Sequence, residues 1–178
     1  ASANGGFNQF VFHADGSVDK NPIKLTRSQK QIIDSSLFLV FTGVETRSAT
    51  DVLARQRTEA TKDKSKVDSL IALREMALNF PERFASEGTD AIGDYLKLAW
   101  DLKVRSTFSE AVALADDMIA GGIEAGARGG KLLGAGGGGF VLFWVDPEHQ
   151  ASFFKRFAHQ IVIPGSVDYE GSRVVFKD

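Results

Sequence analysis

The alternation of apolar and polar positions at the start of the chain predicts a β-hairpin. Residues 7–13 alternate as a strand, Asp15-Gly16 is typical of a tight turn, and residues 17–25 return as a second strand. Pro22 has no N–H to donate, so we expect the second strand to end there or to lie at an edge. A polar helix over 27–36 is predicted next. The continuous apolar run over 37–41 is typical of a strand buried on both faces.

Helical spacing of apolar residues predicts four helices in the middle of the chain, over residues 47–60, 64–79, 89–103 and 108–120. Pro81 is expected to end or kink the second of them, because proline removes a backbone hydrogen bond. Thr107 and Glu110 have the spacing of a capping box at the start of the fourth helix, and Gly121-Gly122 is expected to end it.

The last third of the chain predicts a glycine-rich loop over 121–139 and a strand over 140–145. A helix to about residue 158 is predicted next, with Asp146 as its N-cap and Pro147 as its first residue. Two final strands are predicted over 161–163 and 173–176. Together with the strand over 37–41 and the helical block, this order favours an α+β fold. We expect one antiparallel sheet with helices packed on one face.

Composition narrows the classes of function. The 178 residues carry a net charge of −2 and include no cysteine, which excludes disulfides, thiol nucleophiles and thiolate metal sites. The small net charge gives no reason to expect nucleic acid or an anionic membrane as a partner. The longest apolar runs fall far below the ~20 residues of a membrane span. The histidines lack the spacing of metal ligands. We expect a cytoplasmic globular protein and predict no metal ligand in this chain.

The glycine-rich stretch 121–139 holds ten of the chain's eighteen glycines. Glycine destabilises a fold through backbone entropy unless bare backbone is needed, either for positive φ angles or for amide contacts with an anion. A dinucleotide fingerprint requires a strand before the loop and a helix after it, whereas the predicted order here is helix, loop, strand. Residues 126–131 fall one residue short of a P-loop, with Leu132 where Ser or Thr is needed. An anion-binding or backbone-docking loop is favoured over a tight helix-to-strand crossover.

The segment Gly130–Phe140 reads GKLLGAGGGGF and closely resembles the third signature motif of the GHMP kinases, the family of galactokinase, homoserine kinase, mevalonate kinase and phosphomevalonate kinase. Its form is most similar to the branch that phosphorylates bacterial heptose 7-phosphate at the anomeric position. Supporting similarities are GGFN at 5–8, FTG at 41–43 and the closing segment GSRVVF at 171–176. The resemblance covers the chain only as the C-terminal half of such a kinase. It implies a hairpin left from the N-terminal domain over 1–30 and a ferredoxin-like C-terminal domain over 31–178.

The resemblance implies an ATP-dependent sugar kinase that uses Mg²⁺ and acts on a heptose phosphate or a related sugar. The family's first and second motifs, its catalytic aspartate and its magnesium ligands have no counterpart in these residues. No catalytic residue is therefore assigned, and a separate N-terminal kinase half is expected as partner. The resemblance implies that one loop helps to form the phosphate site, through Gly134, Ala135, Gly136, Gly137, Gly138 and Gly139.

Four further residues are candidates for contact with the sugar substrate: Lys131, Thr42, Gly43 and Arg47. Residues 42–47 follow a buried strand and open a predicted helix, whose N-terminus can hold a phosphate, and Arg47 can bind a sugar phosphate through two hydrogen bonds. Lys131 can add a cation beside the glycines. The alternatives are ordinary capping and surface charge for residues 42–47, and a solvated lysine near a helix end for Lys131.

Two non-catalytic functions stay open. The glycine loop can belong to a module that binds a small anionic metabolite. The hairpin over 7–25 can act as an assembly element, because its strand edges would be unpaired without a preceding domain. The sequence leaves open the sugar, the phosphorylated hydroxyl, the location of the N-terminal half, and whether the chain forms a homo-oligomer.

Overall fold

The computed structural model describes residues 2–44, 64–106, 109–134 and 137–176. The predicted helix over 47–60 and Thr107 of the predicted capping box lie outside these residues. The strands and helices are, in chain order, β1 (Asn8–Phe12), β2 (Val18–Pro22), α1 (Arg27–Ser36), β3 (Leu37–Phe41), α2 (Lys64–Glu87), α3 (Asp90–Ser106), α4 (Glu110–Glu124), β4 (Ala127–Leu132), β5 (Phe140–Val145), α5 (Gln150–Arg156) and β6 (Val162–Pro164).

The main sheet is antiparallel and four-stranded, with the order β4-β5-β3-β6. The separate hairpin pairs β1 with β2, and its turn at Gly16 has a φ of 87°, as the Asp15-Gly16 signal requires. Thr26 caps α1 through a reciprocal pair of hydrogen bonds with Gln29. These findings confirm the α+β prediction with an antiparallel sheet and an N-terminal hairpin.

The core lies between one face of the main sheet and the helices α4 and α5. Val40, Val141 and Phe143 are fully buried there, and the ring of Phe143 lies 5.1 Å from that of Phe153 and 5.5 Å from that of Phe157. Aromatic rings at these separations add to the free energy of burying their apolar surface. Among the described residues, no helix combines the length and the apolar content that crossing a bilayer needs.

The glycine-rich stretch 121–139 was predicted to be one loop, and this prediction is wrong. Helix α4 passes through Gly121-Gly122 to Glu124, and residues 127–132 form strand β4. A Cβ on Gly122 would lie 2.4 Å from Cε1 of Phe143, and one on Gly130 would lie 2.8 Å from Cδ1 of the same ring. These two glycines are therefore needed so that α4 and β4 can approach the Phe143 ring, which outweighs their poor intrinsic propensity for helix or strand.

The opposite face of β4 packs directly against the backbone of α3. A Cβ on Gly129 would lie 2.2 Å from the carbonyl oxygen of Gly93 and 2.8 Å from the amide nitrogen of Lys97. Only a residue without a side chain allows this approach between a strand and a helix. Gly122, Gly129 and Gly130 thus serve packing.

Pro81 does not end α2, which continues to Glu87. The neighbouring Phe80 and Phe84 pack around Phe7 of the N-terminal segment, with ring centroids 5.9 and 5.5 Å from the Phe7 ring, and Phe80 also contacts Tyr95 at 4.6 Å. This aromatic contact outweighs the hydrogen bond that proline removes from the helix. The prediction that residue 79 ends the helix is therefore wrong.

Two helix starts differ from their predicted capping. Ser109 caps α4, and its hydroxyl accepts a hydrogen bond from the amide of Val112. Asp146 makes no side-chain cap; its carboxylate accepts hydrogen bonds from Trp144 Nε1 at 2.9 Å and from Arg128 Nη2 at 3.1 Å. A short 3₁₀ turn over Pro147–His149 precedes α5, which ends at Arg156. The carboxylate of Asp146 is used to join β4 to β5.

Only one of the two predicted closing strands forms. β6 pairs with β3 over Val162–Pro164, whereas residues 173–176 are not a strand. A strand needs a neighbouring backbone to pair with, and the apolar side chains of Val174, Val175 and Phe176 remain exposed. The prediction of a strand over 173–176 is therefore wrong for this chain.

Candidate functional site

The turn between β4 and β5 lies beside the end of β3. We call residues 133–139 the glycine turn; Ala135 and Gly136 within it lie outside the described residues. The amide and the Oγ1 of Thr42 both donate to the carbonyl oxygen of Gly139, at 2.8 and 2.9 Å. The amide of Gly139 donates in return to the carbonyl oxygen of Val44, at 3.0 Å. Two segments that the sequence proposed separately as site residues are thus hydrogen-bonded to each other.

Thr42 holds this junction together. Its side chain is buried, and Oγ1 accepts a hydrogen bond from the amide of Val44 at 3.3 Å while donating to Gly139. A buried hydroxyl that both donates and accepts a hydrogen bond stabilises the fold, whereas the loss of either partner would leave a buried polar group unpaired. Thr42 therefore positions the glycine turn, whatever it contacts in a ligand.

Two different physical needs explain the glycines around the junction. Gly138 has a φ of 128°, and a Cβ there would lie 2.9 Å from the carbonyl oxygen of Val44, so it must be bare for close backbone approach. Gly134 and Gly43 have φ values of 71° and 79° with open space around them, so they are needed for backbone conformation. The turn has a strand on both sides, which corrects the predicted helix-loop-strand order. A dinucleotide fingerprint still does not fit, because no helix follows the loop.

Lys131 lies on strand β4, directly before the glycine turn. Its neighbour Gly130 packs on the core face, so alternation along the strand directs Lys131 to the opposite face. The side chain is partly buried, and this burial lowers the pKa of its ammonium. The alternative interpretation, a solvated lysine near a helix end, is therefore wrong.

Lys103 near the end of α3 is a site neighbour that the sequence did not identify. Burial lowers the pKa of the Lys103 ammonium, and the positive charge of Lys131 lowers it further. The two cations are therefore close enough to repel each other. A lysine in the last turn of a helix is common because it interacts favourably with the helix dipole, so the sequence carried no signal for this pairing across α3 and β4.

Replacing Lys131 with methionine is expected to raise the free energy of unfolding at about pH 7, because the partly desolvated ammonium is removed. The folded-state pKa lies below the ordinary value of 10.5. The positive charge of Lys131 therefore destabilises the folded state fully at pH values below the folded-state pKa. This destabilisation disappears as the pH rises toward the pKa of the unfolded state. The gain should shrink on the alkaline side, and urea denaturation at about pH 7 and about pH 10 measures it.

The exposed Lys97 on α3 provides the matched control, since Lys97→Met removes an ammonium that is already solvated. Little change in stability is expected for this variant. A Lys131→Met variant that is destabilised at neutral pH, or whose gain grows with pH, would contradict the assignment of a desolvation cost to Lys131.

The described residues offer no cluster of three or more side chains that could hold a metal ion. A cluster of charged side chains elsewhere joins Arg128 to Asp146 at 3.1 Å and to Asp90 at 3.4 Å, at the end of β4 opposite the glycine turn. Its contacts tie α3 to the sheet, which is a structural role. Arg47, the remaining candidate, lies outside the described residues.

Comparison with known proteins gives one family match. Residues 83–162 match the family described as GHMP kinases C terminal. A curated relative, the D-glycero-alpha-D-manno-heptose 7-phosphate kinase of Campylobacter jejuni, is 27% identical over 157 residues, which are 87% of this chain and 45% of the relative. These matches confirm the resemblance to GHMP kinases that the glycine motif indicated. The chain spans about half the length of the curated relative it matches.

Solved structures show the same fold. A D-glycero-D-manno-heptose 1-phosphate kinase from Bacteroides thetaiotaomicron has a TM-score of 0.62 at 22% identity, over 96% of this chain and 45% of that one. The L. major mevalonate kinase in complex with R-mevalonate has a TM-score of 0.69 at 16% identity, over 94% of this chain and 50% of that one. At this level of identity, the similarity shows that the chain has the fold of the C-terminal part of these kinases.

Proposed function

We propose that this chain is the C-terminal part of an ATP-dependent sugar kinase that phosphorylates a heptose phosphate or a related sugar at the anomeric hydroxyl. The observation that carries the proposal is the hydrogen-bonded junction between the glycine turn and residues 42–44, with Lys131 on the strand leading into it. Residues 31–178 are the C-terminal domain in this proposal, and residues 1–30 belong structurally to an N-terminal half. The kinase acts in the cytoplasm.

The junction suits phosphoryl transfer for a physical reason. Such reactions depend on positioning and on stabilising negative charge more than on covalent chemistry by the protein. Glycine amides can donate to phosphate oxygens without the steric obstruction of side chains. A partly buried lysine interacts more strongly with an anion than an exposed one does, because solvent screens it less. Lys131 carries the desolvation cost of its burial, which fits a residue kept for function.

Within this proposal, each group of residues contacts a different part of the two substrates. The glycine turn contacts the phosphates of ATP, which supplies the transferred phosphoryl group when bound with Mg²⁺. Thr42, Gly43 and Arg47 are assigned to contact the sugar substrate, and Lys131 is assigned to bind one of its anionic groups. The magnesium ligands and the base that accepts the sugar hydroxyl proton belong to the N-terminal half.

Steady-state turnover tests the proposal. We expect the 178-residue chain alone to show no ATP-dependent phosphorylation of heptose 7-phosphate, because the base and metal ligands come from elsewhere. Adding the polypeptide encoded upstream of Ala1 in the source gene should restore turnover, detected as ADP release and as a new anomeric phosphate by ³¹P NMR. Turnover by the isolated chain would overturn the assignment of the base to the N-terminal half.

Calorimetric titration separates the kinase from a free-standing anion sensor. The glycine turn is formed within this chain, so a sensor would bind heptose 7-phosphate or ATP tightly without any other polypeptide. For the kinase we expect weak binding by the chain alone and much tighter binding after the N-terminal half is added. Tight binding by the chain alone, unchanged by the second polypeptide, would favour the sensor.

A further inference from the structure

Three consecutive apolar residues near the end of the chain are almost fully exposed. Val174, Val175 and Phe176 expose 80%, 89% and 78% of their surface. Neighbouring residues on a strand point to opposite faces, so burying all three requires cover on both sides. β-branched and aromatic residues favour strands, yet this segment has none to pair with among the described residues. A short run exposed in this way indicates an interaction surface.

The segment just before this run is hydrogen-bonded to the start of the chain. The amide of Ser172 donates to the carbonyl oxygen of Ala3 at 3.1 Å, and the amide of Gly6 donates to the carbonyl oxygen of Asp168 at 2.6 Å. Position 172 thus lies opposite position 3, and position 168 lies opposite position 6. The two segments therefore pass each other in antiparallel directions.

Two glycines allow the backbones of these two segments to approach each other closely. A Cβ on Gly5 would lie 2.6 Å from the amide nitrogen of Gly171, and a Cβ on Gly171 would lie 2.5 Å from the carbonyl oxygen of Ala3. Both residues have positive φ angles. Such direct backbone contact leaves no room for side chains, so the end of the chain has a defined position relative to its start.

The antiparallel directions decide where the exposed run leads. Residues that follow Ser172 therefore lead toward the short 3₁₀ turn Ser2–Asn4 and the chain that enters it. We propose that residues 173–176 form a β-strand with the segment of the N-terminal half that leads into residue 1. This inference rests on the proposed function, because that function supplies the N-terminal half.

Two observations favour this occupant over a second copy of the chain. The chain matches only 45% of the length of its curated relative, and residues 83–162 match a C-terminal kinase family, so a preceding half is available in such proteins. The hydrogen bond between Ser172 and Ala3 places residues 173–176 next to the point where that half would join this chain. No contact among the described residues gives a second copy of the chain a defined position there. Pairing would satisfy the backbone groups of the run, and the N-terminal half would cover its side chains.

A binding experiment with two matched variants tests the proposal. Val175→Lys places a charge within the proposed strand, and Ile71→Lys places one at a half-exposed apolar site on α2. Affinity for the polypeptide encoded upstream of Ala1 is measured by calorimetry. Val175→Lys should weaken binding by about tenfold or more, Ile71→Lys should leave it unchanged, and the β-branched variant Val175→Thr should retain most of it. Hydrogen exchange should show fast amides over 173–176 in the chain alone and protected amides in the complex.

The outcomes separate this inference from the proposed function. Binding with the expected variant effects but without turnover supports the strand and overturns the kinase. An active complex in which Val175→Lys binds normally and residues 173–176 stay unprotected overturns the strand and leaves the kinase intact. Absence of binding by the unmodified chain, or protection of 173–176 through self-association seen by sedimentation, also overturns the strand.

Discussion

Replacing Gly138 with alanine should lower kcat/KM of the proposed kinase, reconstituted from its two halves, by about a hundredfold. Gly138 has a φ of 128°, and a Cβ would lie 2.9 Å from the carbonyl oxygen of Val44. The backbone has to move, and the hydrogen bonds between Gly139 and residues 42–44 have to move with it. A displacement of about 1 Å at a site that positions phosphates is enough for an effect of this size. Initial rates with varied ATP and varied sugar measure it.

Gly88→Ala is the matched control for backbone strain. Gly88 also has a positive φ, of 70°, but it lies between α2 and α3 with open space around the position of a Cβ. Gly88→Ala should lose about 1–2 kcal/mol of stability from the left-handed conformation. Gly138→Ala should lose more, because its Cβ also meets the Val44 carbonyl, and only Gly138→Ala should lose activity. Equal activities for the two variants would show that the glycine turn has no part in phosphoryl transfer.

Replacing Gly129 with alanine should destabilise the fold by about 3 kcal/mol, near the upper end for overpacking. The added Cβ would lie 2.2 Å from the carbonyl oxygen of Gly93, and a backbone atom of a helix does not move aside as a flexible side chain does. Helix α3 would have to separate from β4. Equilibrium denaturation in urea measures the change in the free energy of unfolding.

Gly165→Ala gives the control for this second substitution. Its Cβ would meet Leu37 at 3.2 Å, a contact that a small adjustment relieves. We expect a loss of less than about 1 kcal/mol there. If Gly129→Ala were as stable as Gly165→Ala, the direct packing of β4 on α3 would be incorrect.

The local sequence pattern correctly predicted the helices and strands whose sequence signals span only a few residues. The capping box of Thr26 and Gln29 begins α1, the apolar run Leu37–Phe41 is β3, and Phe140–Val145 is β5. In each of these segments, spacing or propensity favours one structure and the tertiary contacts agree with it. The same holds for the hairpin turn at Gly16, whose positive φ a glycine permits.

Prediction failed where packing opposed local propensity. Strand β4 contains Gly129-Gly130, which disfavour a strand in isolation, and it forms because the Phe143 ring and the α3 backbone need those positions bare. Helix α2 continues past Pro81 because aromatic contacts hold its last turns. Residues 173–176 have strand propensity but no strand to pair with among the described residues.

The sequence by itself determined the fold class and pointed to the candidate site, because apolar periodicity is local and a run of glycines is a specific motif. It also determined the resemblance to GHMP kinases, which the comparisons confirm. Only the tertiary structure decided which glycines serve packing and which belong to the turn beside Thr42. It also decided that Lys131 is partly buried near Lys103. The physical reason is that close backbone approach and desolvation depend on neighbours that are distant in sequence, about which local pattern carries no information.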